Sequence, residues 1–217
     1  MSHIVQDSYK FQQWKQRIEN NGSVLKKIDI LGYVSRNNKD LYSAFIDCLI
    51  LTPKGVEIPR CILITGDSVV IVPMLTCSDD GKIYTLMVEQ RRIADGGNVI
   101  EFAAGGIELE SDPKIAACQE IQEELHLTVS TTELIPLTNE PVQVVPSSLE
   151  GRMHFFYFEK EVSLSYLEKM NDRNSGCEEA KEYIRIKVCK MSEVVMANTP
   201  SALMGLKLLE YKLNRMF

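Results

Sequence analysis

The stretch AAGGIELESDPKIAACQEIQEELHL, residues 103–127, joins the end of a β-like run to an acidic helix through two adjacent glycines. The β-like run covers Asn98–Ala103, and Gly105 with Gly106 interrupts it. Asp112 followed by Pro113 is typical of a helix N-cap and first turn. The pattern therefore predicts a strand, a glycine loop and a helix from about Asp112 to Leu125.

One side of this predicted helix is apolar and the other is acidic. Four residues recur at helical spacing and are predicted to be buried: Ile115, Cys118, Ile121 and Leu125. Glu120, Glu123 and Glu124 stand at i, i+3 and i+4, so their carboxylates share one neighbourhood and repel each other. Such a triplet is usually a solvated acidic face, but a bound Mg²⁺ would turn the repulsion into attraction. The triplet alone leaves both interpretations open.

Residues just before the helix favour the second interpretation. Gly105 lacks a side chain, which lets backbone carbonyls and a phosphate approach the helix closely. Arg91, Arg92 and Glu101 lie upstream, and planar guanidinium groups pair well with phosphate oxygens. The simpler alternative for Arg92 and Glu101 is a surface ion pair.

The remaining chain alternates β-like runs with a few helical segments. Phe11, Trp14 and Ile18 mark a short amphipathic helix near the start, and Thr199-Pro200 begins a closing helix. The predicted strands lie at Val24–Val34, Leu41–Leu51, Val56–Thr65, Ser68–Leu75, Lys82–Val88, Leu134–Leu137, Val142–Val145, Arg152–Phe158 and Glu182–Val188. This order predicts an α/β (α+β) fold in which helices sandwich a mixed sheet, with a β-rich N-terminal extension.

Composition excludes several classes of function. The 217 residues carry a formal net charge of -6, so nucleic-acid binding through a basic surface is not expected. No apolar run reaches the roughly 18 residues of a membrane span. The six cysteines form no C-x-x-C pair, which favours free thiols in a reducing cytoplasm: Cys48, Cys61, Cys77, Cys118, Cys177 and Cys189.

Residues 105–127 resemble the Nudix box, whose pattern is G-x5-E-x7-R-E-U-x-E-E-x-G-U with U a bulky aliphatic residue. The matching positions are Gly105, Glu120, Ile121, Glu123, Glu124 and Leu127. Ser111, Gln119 and His126 stand where the pattern has Glu, Arg and Gly. His126 thus occupies a position where a left-handed backbone favours glycine.

The flanking segments are similar to those of ADP-ribose and ADP-sugar pyrophosphatases. Gln90-Arg91-Arg92 resembles their Q-x-R segment, and Glu101 to Gly105 resembles their E-x-P-A-G segment. The resemblance covers residues 56–217, the predicted Nudix hydrolase domain. Residues 1–55 correspond to an N-terminal extension that implies a homodimer.

The resemblance implies a role for individual residues. Glu120, Glu124 and the Ala104 carbonyl would bind Mg²⁺ or Mn²⁺, and Glu123 would bind a further ion or orient the attacking water. Glu150, in a later loop, corresponds to a catalytic carboxylate, although an ordinary solvated loop acid is an equally good interpretation. The substrate-binding residues would be Arg91, Arg92, Glu101 and Gly105.

The implied reaction is hydrolysis of the pyrophosphate bond of a nucleoside diphosphate sugar, of the ADP-ribose or ADP-glucose type. Its products are a nucleoside monophosphate and a sugar phosphate. Ser111 and Gln119 remove one acid and one base that support the box, so slower catalysis is expected. The alternative is a catalytically weakened Nudix-fold module that binds nucleotides or a partner protein.

Overall fold

A computed structural model of the protein describes residues 2–36, 40–108, 111–176, 183–197 and 199–217. The helices are α1 (Ser2–Gln6), α2 (Tyr9–Asn20), α3 (Pro113–Leu125), α4 (Leu164–Met170) and α5 (Pro200–Leu213), with a 3-10 helix at Met191–Met196. The strands are β1 (Val24–Arg36), β2 (Asp40–Leu51), β3 (Glu57–Ile64), β4 (Ser68–Cys77), β5 (Ile83–Arg92), β6 (Gly97–Glu101), β7 (Ala103–Gly106), β8 (Ile135–Pro136), β9 (Val142–Gln143), β10 (Arg152–Val162), β11 (Asn174–Ser175) and β12 (Ile184–Lys190). None of the helices in the described ranges is long and apolar enough to span a membrane.

The chain divides into two compact units, which are described separately. Unit 1 comprises residues 1–68, 107–110 and 142–153, and unit 2 comprises residues 69–106, 111–141 and 154–217. The boundary predicted from the sequence, at residues 55 and 56, stays a prediction.

Unit 1 is built on a three-stranded antiparallel sheet in the order β1-β2-β3. Ser8 is the N-cap of α2, and its hydroxyl accepts a hydrogen bond from the Phe11 N–H at 3.2 Å. Phe11 and Trp14 of this helix are buried with Ile46 and Ile64 of the sheet in one hydrophobic core. The predicted N-terminal amphipathic helix is confirmed.

Alternate residues of the same sheet point away from that core. Phe45 lies between the buried residues Ala44 and Ile46, and it pairs with Leu63 on β3. Phe45, Leu63 and Leu31 are exposed. Unit 1 therefore presents an apolar sheet face to solvent.

Unit 2 contains the larger sheet, in the order β11-β12-β5-β4-β10-β8, with β6 paired to β5 and β7 paired to β4. Residues 69–75 of β4 are all buried, so both faces of this strand are covered. Gly205 of α5 lies against Val72 and Phe102, and a Cβ there would come within 3.1 Å of Phe102. The mixed α+β fold class predicted from the sequence is confirmed.

Two local predictions about the stretch at residues 103–127 are wrong. Gly105 and Gly106 end strand β7 and do not form a loop. Ile115 is 49% exposed, and the buried face of α3 is made by Ala116, Ala117, Ile121 and Leu125. The two alanines are small enough to let the helix approach the sheet, which rotates Ile115 outwards. Of the residues named from the sequence, Cys177 and Glu182 lie outside the described residues.

Candidate active site

Helix α3 has well-formed ends, and these fix the position of its glutamates. Asp112 is the N-cap, and its carboxylate accepts a hydrogen bond from the Lys114 N–H at 2.7 Å. At the other end His126 adopts the left-handed conformation with φ 52°. The His126 and Leu127 N–H groups both donate to the Ile121 carbonyl, the latter at 3.3 Å. The left-handed position predicted to favour glycine is thus formed by histidine.

Gly105 lies directly against the Glu120 carboxyl group. A Cβ added to Gly105 would overlap that carboxyl group at less than 3.0 Å, a separation real Cβ atoms do not show. The neighbouring Gly106 has open space where its Cβ would be. The absence of a side chain at Gly105 therefore creates the space in which Glu120 lies.

Glu124 lies one helical turn after Glu120 and is buried, with only 5% of its surface exposed. Its carboxylate accepts a hydrogen bond from the Ala104 N–H at 3.0 Å. Burial, and next the negative charge of Glu120, raise the pKa of Glu124 to about 8, although the Ala104 hydrogen bond acts in the opposite direction. The protein therefore keeps a carboxyl group where its charged form is strongly disfavoured.

Glu101 and Arg92 form an ion pair beside these carboxylates. Antiparallel pairing of β5 with β6 brings the two residues together, and the Arg92 Nη2 lies 2.6 Å from Glu101 Oε1. The Gln90 side-chain amide donates to the same oxygen at 3.0 Å. Both charges act on Glu124, since Glu101 raises its pKa and Arg92 lowers it. About half of the Arg92 side chain is exposed, so it can still reach a phosphate.

Two predicted site residues of unit 2 are exposed and have other neighbours. Arg91 is exposed and donates to the Gly96 carbonyl at 3.1 Å, within its own turn. Glu123 is exposed and lines a shallow cavity of about 390 Å³ together with Gln119 and Gln122. The structure thus groups Ala104, Gly105, Glu120, Glu124, Glu101 and Arg92 in one neighbourhood. The predicted roles of Arg91 and Glu123 stay predictions.

The grouped residues suit a hard divalent cation. Across the described ranges, no cluster of three or more His, Cys, Asp or Glu side chains has metal-site geometry. Mg²⁺, however, needs only one or two carboxylates together with substrate phosphates. Glu120 and Glu124 supply two carboxylates, and a cation between them would offset the repulsion that raises the pKa of Glu124. The residues therefore fit a divalent cation whose remaining coordination positions would be filled by water or by substrate phosphates.

Glu150 belongs to unit 1, where it is the centre of a buried ion cluster. Its side chain is 1% exposed, pairs with Arg17, and accepts backbone N–H donors from Thr65 at 3.0 Å and Gly66 at 2.5 Å. Arg17 also contacts Asp67, and Asp67 pairs with Arg152 at 3.0 Å. The interpretation of Glu150 as a solvated loop acid is wrong, because the carboxylate is enclosed by these partners.

Sequence reasoning overlooked two contributors to the site. Gln90 was visible within the Gln90-Arg91-Arg92 motif, but only the strand pairing shows that it orients Glu101. Ser175 carries no local signal, and its contact with the end of α3 depends on a strand 51 residues away.

The comparisons with known proteins confirm the resemblance to the Nudix hydrolases predicted from the sequence. No protein-family model matches the chain. Over 203 residues it is 20% identical to Nudix hydrolase 14, chloroplastic, from Arabidopsis thaliana, an alignment that covers 87% of the chain. The chain spans about 65% of the length of that relative. Its fold is similar to a crystal structure of an ADP compounds hydrolase, with a TM-score of 0.56, 14% identity, and coverage of 88% of this chain and 96% of the other.

Proposed function

We propose that the protein is a Nudix-type pyrophosphatase that hydrolyses a nucleoside diphosphate sugar, of the ADP-ribose or ADP-glucose type. The products would be a nucleoside monophosphate and a sugar phosphate. The observation that carries the proposal is the burial of Glu124 against Glu120, which raises the pKa of Glu124 to about 8. Burying a charge is costly, and carboxylates with strongly perturbed pKa values cluster at functional sites. The names of both similar proteins support a hydrolase, and the ADP compounds hydrolase supports a nucleotide substrate.

Glu120, Glu124 and the Ala104 carbonyl would hold Mg²⁺ or Mn²⁺. When bound, such an ion neutralises phosphate oxygens and lowers the pKa of the attacking water. Gly105 leaves room for the Glu120 carboxyl group directly beside strand β7.

Arg92 would bind the diphosphate through its guanidinium group, which is held by Glu101, itself hydrogen-bonded to Gln90. Arg91 could join it only after leaving the Gly96 carbonyl. Two carboxylates are candidates for the base that accepts a proton from water. Glu123 is exposed and available, whereas Glu150 would first have to leave Arg17 and its two backbone donors.

Cleavage of ADP-ribose and ADP-glucose in the presence of Mg²⁺ tests the proposal. The wild type should release AMP, and Glu120→Gln and Glu124→Gln should lower kcat at least about 100-fold, as expected for loss of a metal ligand. Glu168→Gln is the matched control, since Glu168 is an exposed helical glutamate on α4. Equal AMP release by the wild type and Glu120→Gln would reject the proposal.

The second candidate function is a nucleotide-binding module with weakened catalysis. Gln119 stands where the Nudix pattern has arginine, and it is exposed in the shallow cavity beside Glu123. Helix α3 therefore lacks the arginine of the Nudix pattern, and its one basic residue is Lys114. Calorimetric titration with ADP-ribose separates the two functions, because a binding module would take up the ligand and return it intact after Mg²⁺ is added.

We also propose a homodimer and a cytoplasmic location. The exposed apolar face of unit 1, formed by Leu31, Phe45 and Leu63, supports a contact with a second copy. Light scattering at micromolar concentration should give about twice the 24.6 kDa mass of one chain, and a mass of one chain would exclude the dimer.

The free thiols at Cys48, Cys77 and three other described cysteines support a reducing compartment.

A further inference from the structure

The last turn of α3 is held from outside the helix. A helix leaves its final carbonyls without intrahelical partners, and these need other donors. The Ser175 hydroxyl donates to the main-chain carbonyl of Glu124 at 2.6 Å. The Gly176 N–H donates to the carbonyl of Glu123 at 3.4 Å. The two carbonyls belong to neighbouring glutamates of the proposed site.

The left-handed residue at the end of α3 is held by the same segment. His126 has φ 52°, a conformation that costs a non-glycine residue about 1 kcal/mol or more unless its surroundings enforce it. The His126 Nε2 lies 3.2 Å from the Asn174 carbonyl oxygen. Strand β11 therefore enforces a helix end that the sequence, with histidine in place of glycine, would otherwise disfavour.

Strand β11 is itself fixed to the sheet that carries the rest of the site. Ser175 pairs with Ile184 of β12, and Ile184 pairs with Gln90 of β5. Ile184 is buried, and Gln90 donates to Glu101. A continuous ladder thus connects the Glu101 side of the site to the carbonyl of Glu124.

We propose that Ser175 is a positioning residue for the metal-binding carboxylates. Glu124 is anchored at two points, through its carboxylate to the Ala104 N–H and through its carbonyl to the Ser175 hydroxyl. Loss of the second anchor would free the last turn of α3, and ligands must be held within about 0.5 Å to bind a cation well. The inference rests on the proposed function, because it assumes that Glu120 and Glu124 bind a cation.

Titration of the full-length protein with Mn²⁺ at pH 8 tests the inference, with free Mn²⁺ measured by electron paramagnetic resonance. Ser175→Ala should weaken Mn²⁺ binding about tenfold, the usual scale for a residue that orients a metal ligand. Ser175→Thr keeps the hydroxyl and should bind within about twofold of the wild type. The matched control is Ser163→Ala, which removes the N-cap of α4, where the hydroxyl accepts from the Tyr166 N–H at 3.2 Å.

Urea unfolding of the metal-free variants separates positioning from general destabilisation. Ser175→Ala and Ser163→Ala should lower the free energy of unfolding by similar amounts relative to the wild type, but only Ser175→Ala should lose Mn²⁺ affinity. Equal Mn²⁺ affinity in Ser175→Ala and the wild type would overturn the inference and leave the proposed function intact. A wild type that binds no Mn²⁺ would overturn both.

Discussion

Replacing Glu124 by glutamine should stabilise the metal-free protein at alkaline pH while removing its ability to bind a cation. Glutamine has nearly the shape of glutamate, and its amide oxygen can still accept the Ala104 N–H. It carries no charge, so it avoids the cost of burying a charge and the repulsion from Glu120, which together raise the pKa of Glu124 to about 8. The substitution therefore separates the energetic cost of the buried carboxylate from its role in binding a cation.

The magnitude follows from proton linkage. In the unfolded chain the carboxyl group ionises near its ordinary pKa of 4.5, but in the folded protein it keeps its proton up to a pKa of about 8. The folded state then binds more protons, so stability is greatest below pH 4.5 and falls as the pH rises to 8. The full shift corresponds to about 5 kcal/mol, and relaxation around the buried charge reduces the expected loss to about 2–4 kcal/mol.

Urea unfolding between pH 5 and pH 9, without divalent cations, measures this effect. Wild-type stability should fall by about 2–4 kcal/mol over that range, and Glu124→Gln should lose most of this slope and be the more stable protein at pH 8. Mg²⁺ at about 100 times its Kd should add about 2.7 kcal/mol to the wild type alone. An unchanged pH slope in Glu124→Gln, or a less stable variant at pH 8, would show that the charge of Glu124 does not destabilise the folded protein.

Two further predictions concern single residues with a clear structural contrast. Gly105→Ala should displace the Glu120 carboxyl group and lower kcat about 100-fold. Gly106→Ala, whose Cβ meets no atom within 4 Å, should keep near wild-type turnover, and equal turnover in the two variants would contradict this expectation. Glu150→Ala should destabilise the protein to urea by about 3 kcal/mol, because it leaves Arg17 and two backbone N–H groups without the carboxylate, and a companion Arg17→Met change should recover part of the loss. Unaltered stability with lost turnover in Glu150→Ala would instead favour the catalytic role predicted for this residue.

Local signals account for most of the elements. The Asp112-Pro113 pair predicts the start of α3, and the spacing of Phe11, Trp14 and Ile18 predicts α2. The apolar character of Ile115 predicts a buried residue, but close approach of α3 to the sheet favours the small residues Ala116 and Ala117.

The candidate site was predictable only as far as sequence neighbours define it. Glu120 and Glu124 share a helix face, so their spacing brings them together in any helix. The partners of Glu150 could not be predicted, because Arg17 lies 133 residues away and meets it only through the tertiary fold. Ser175 was missed for the same reason, since its contact with Glu124 depends on strand pairing and not on a motif.

A crystal soaked with Mn²⁺ at pH 8, with data collected at the manganese absorption edge, shows whether Glu120 and Glu124 bind a cation. An anomalous peak is expected between the Glu120 and Glu124 carboxylates and near the Ala104 carbonyl, with no such peak in Glu124→Gln crystals. A wild-type map without manganese at these residues, and with Glu124 still bonded to the Ala104 N–H, would contradict cation binding at this site.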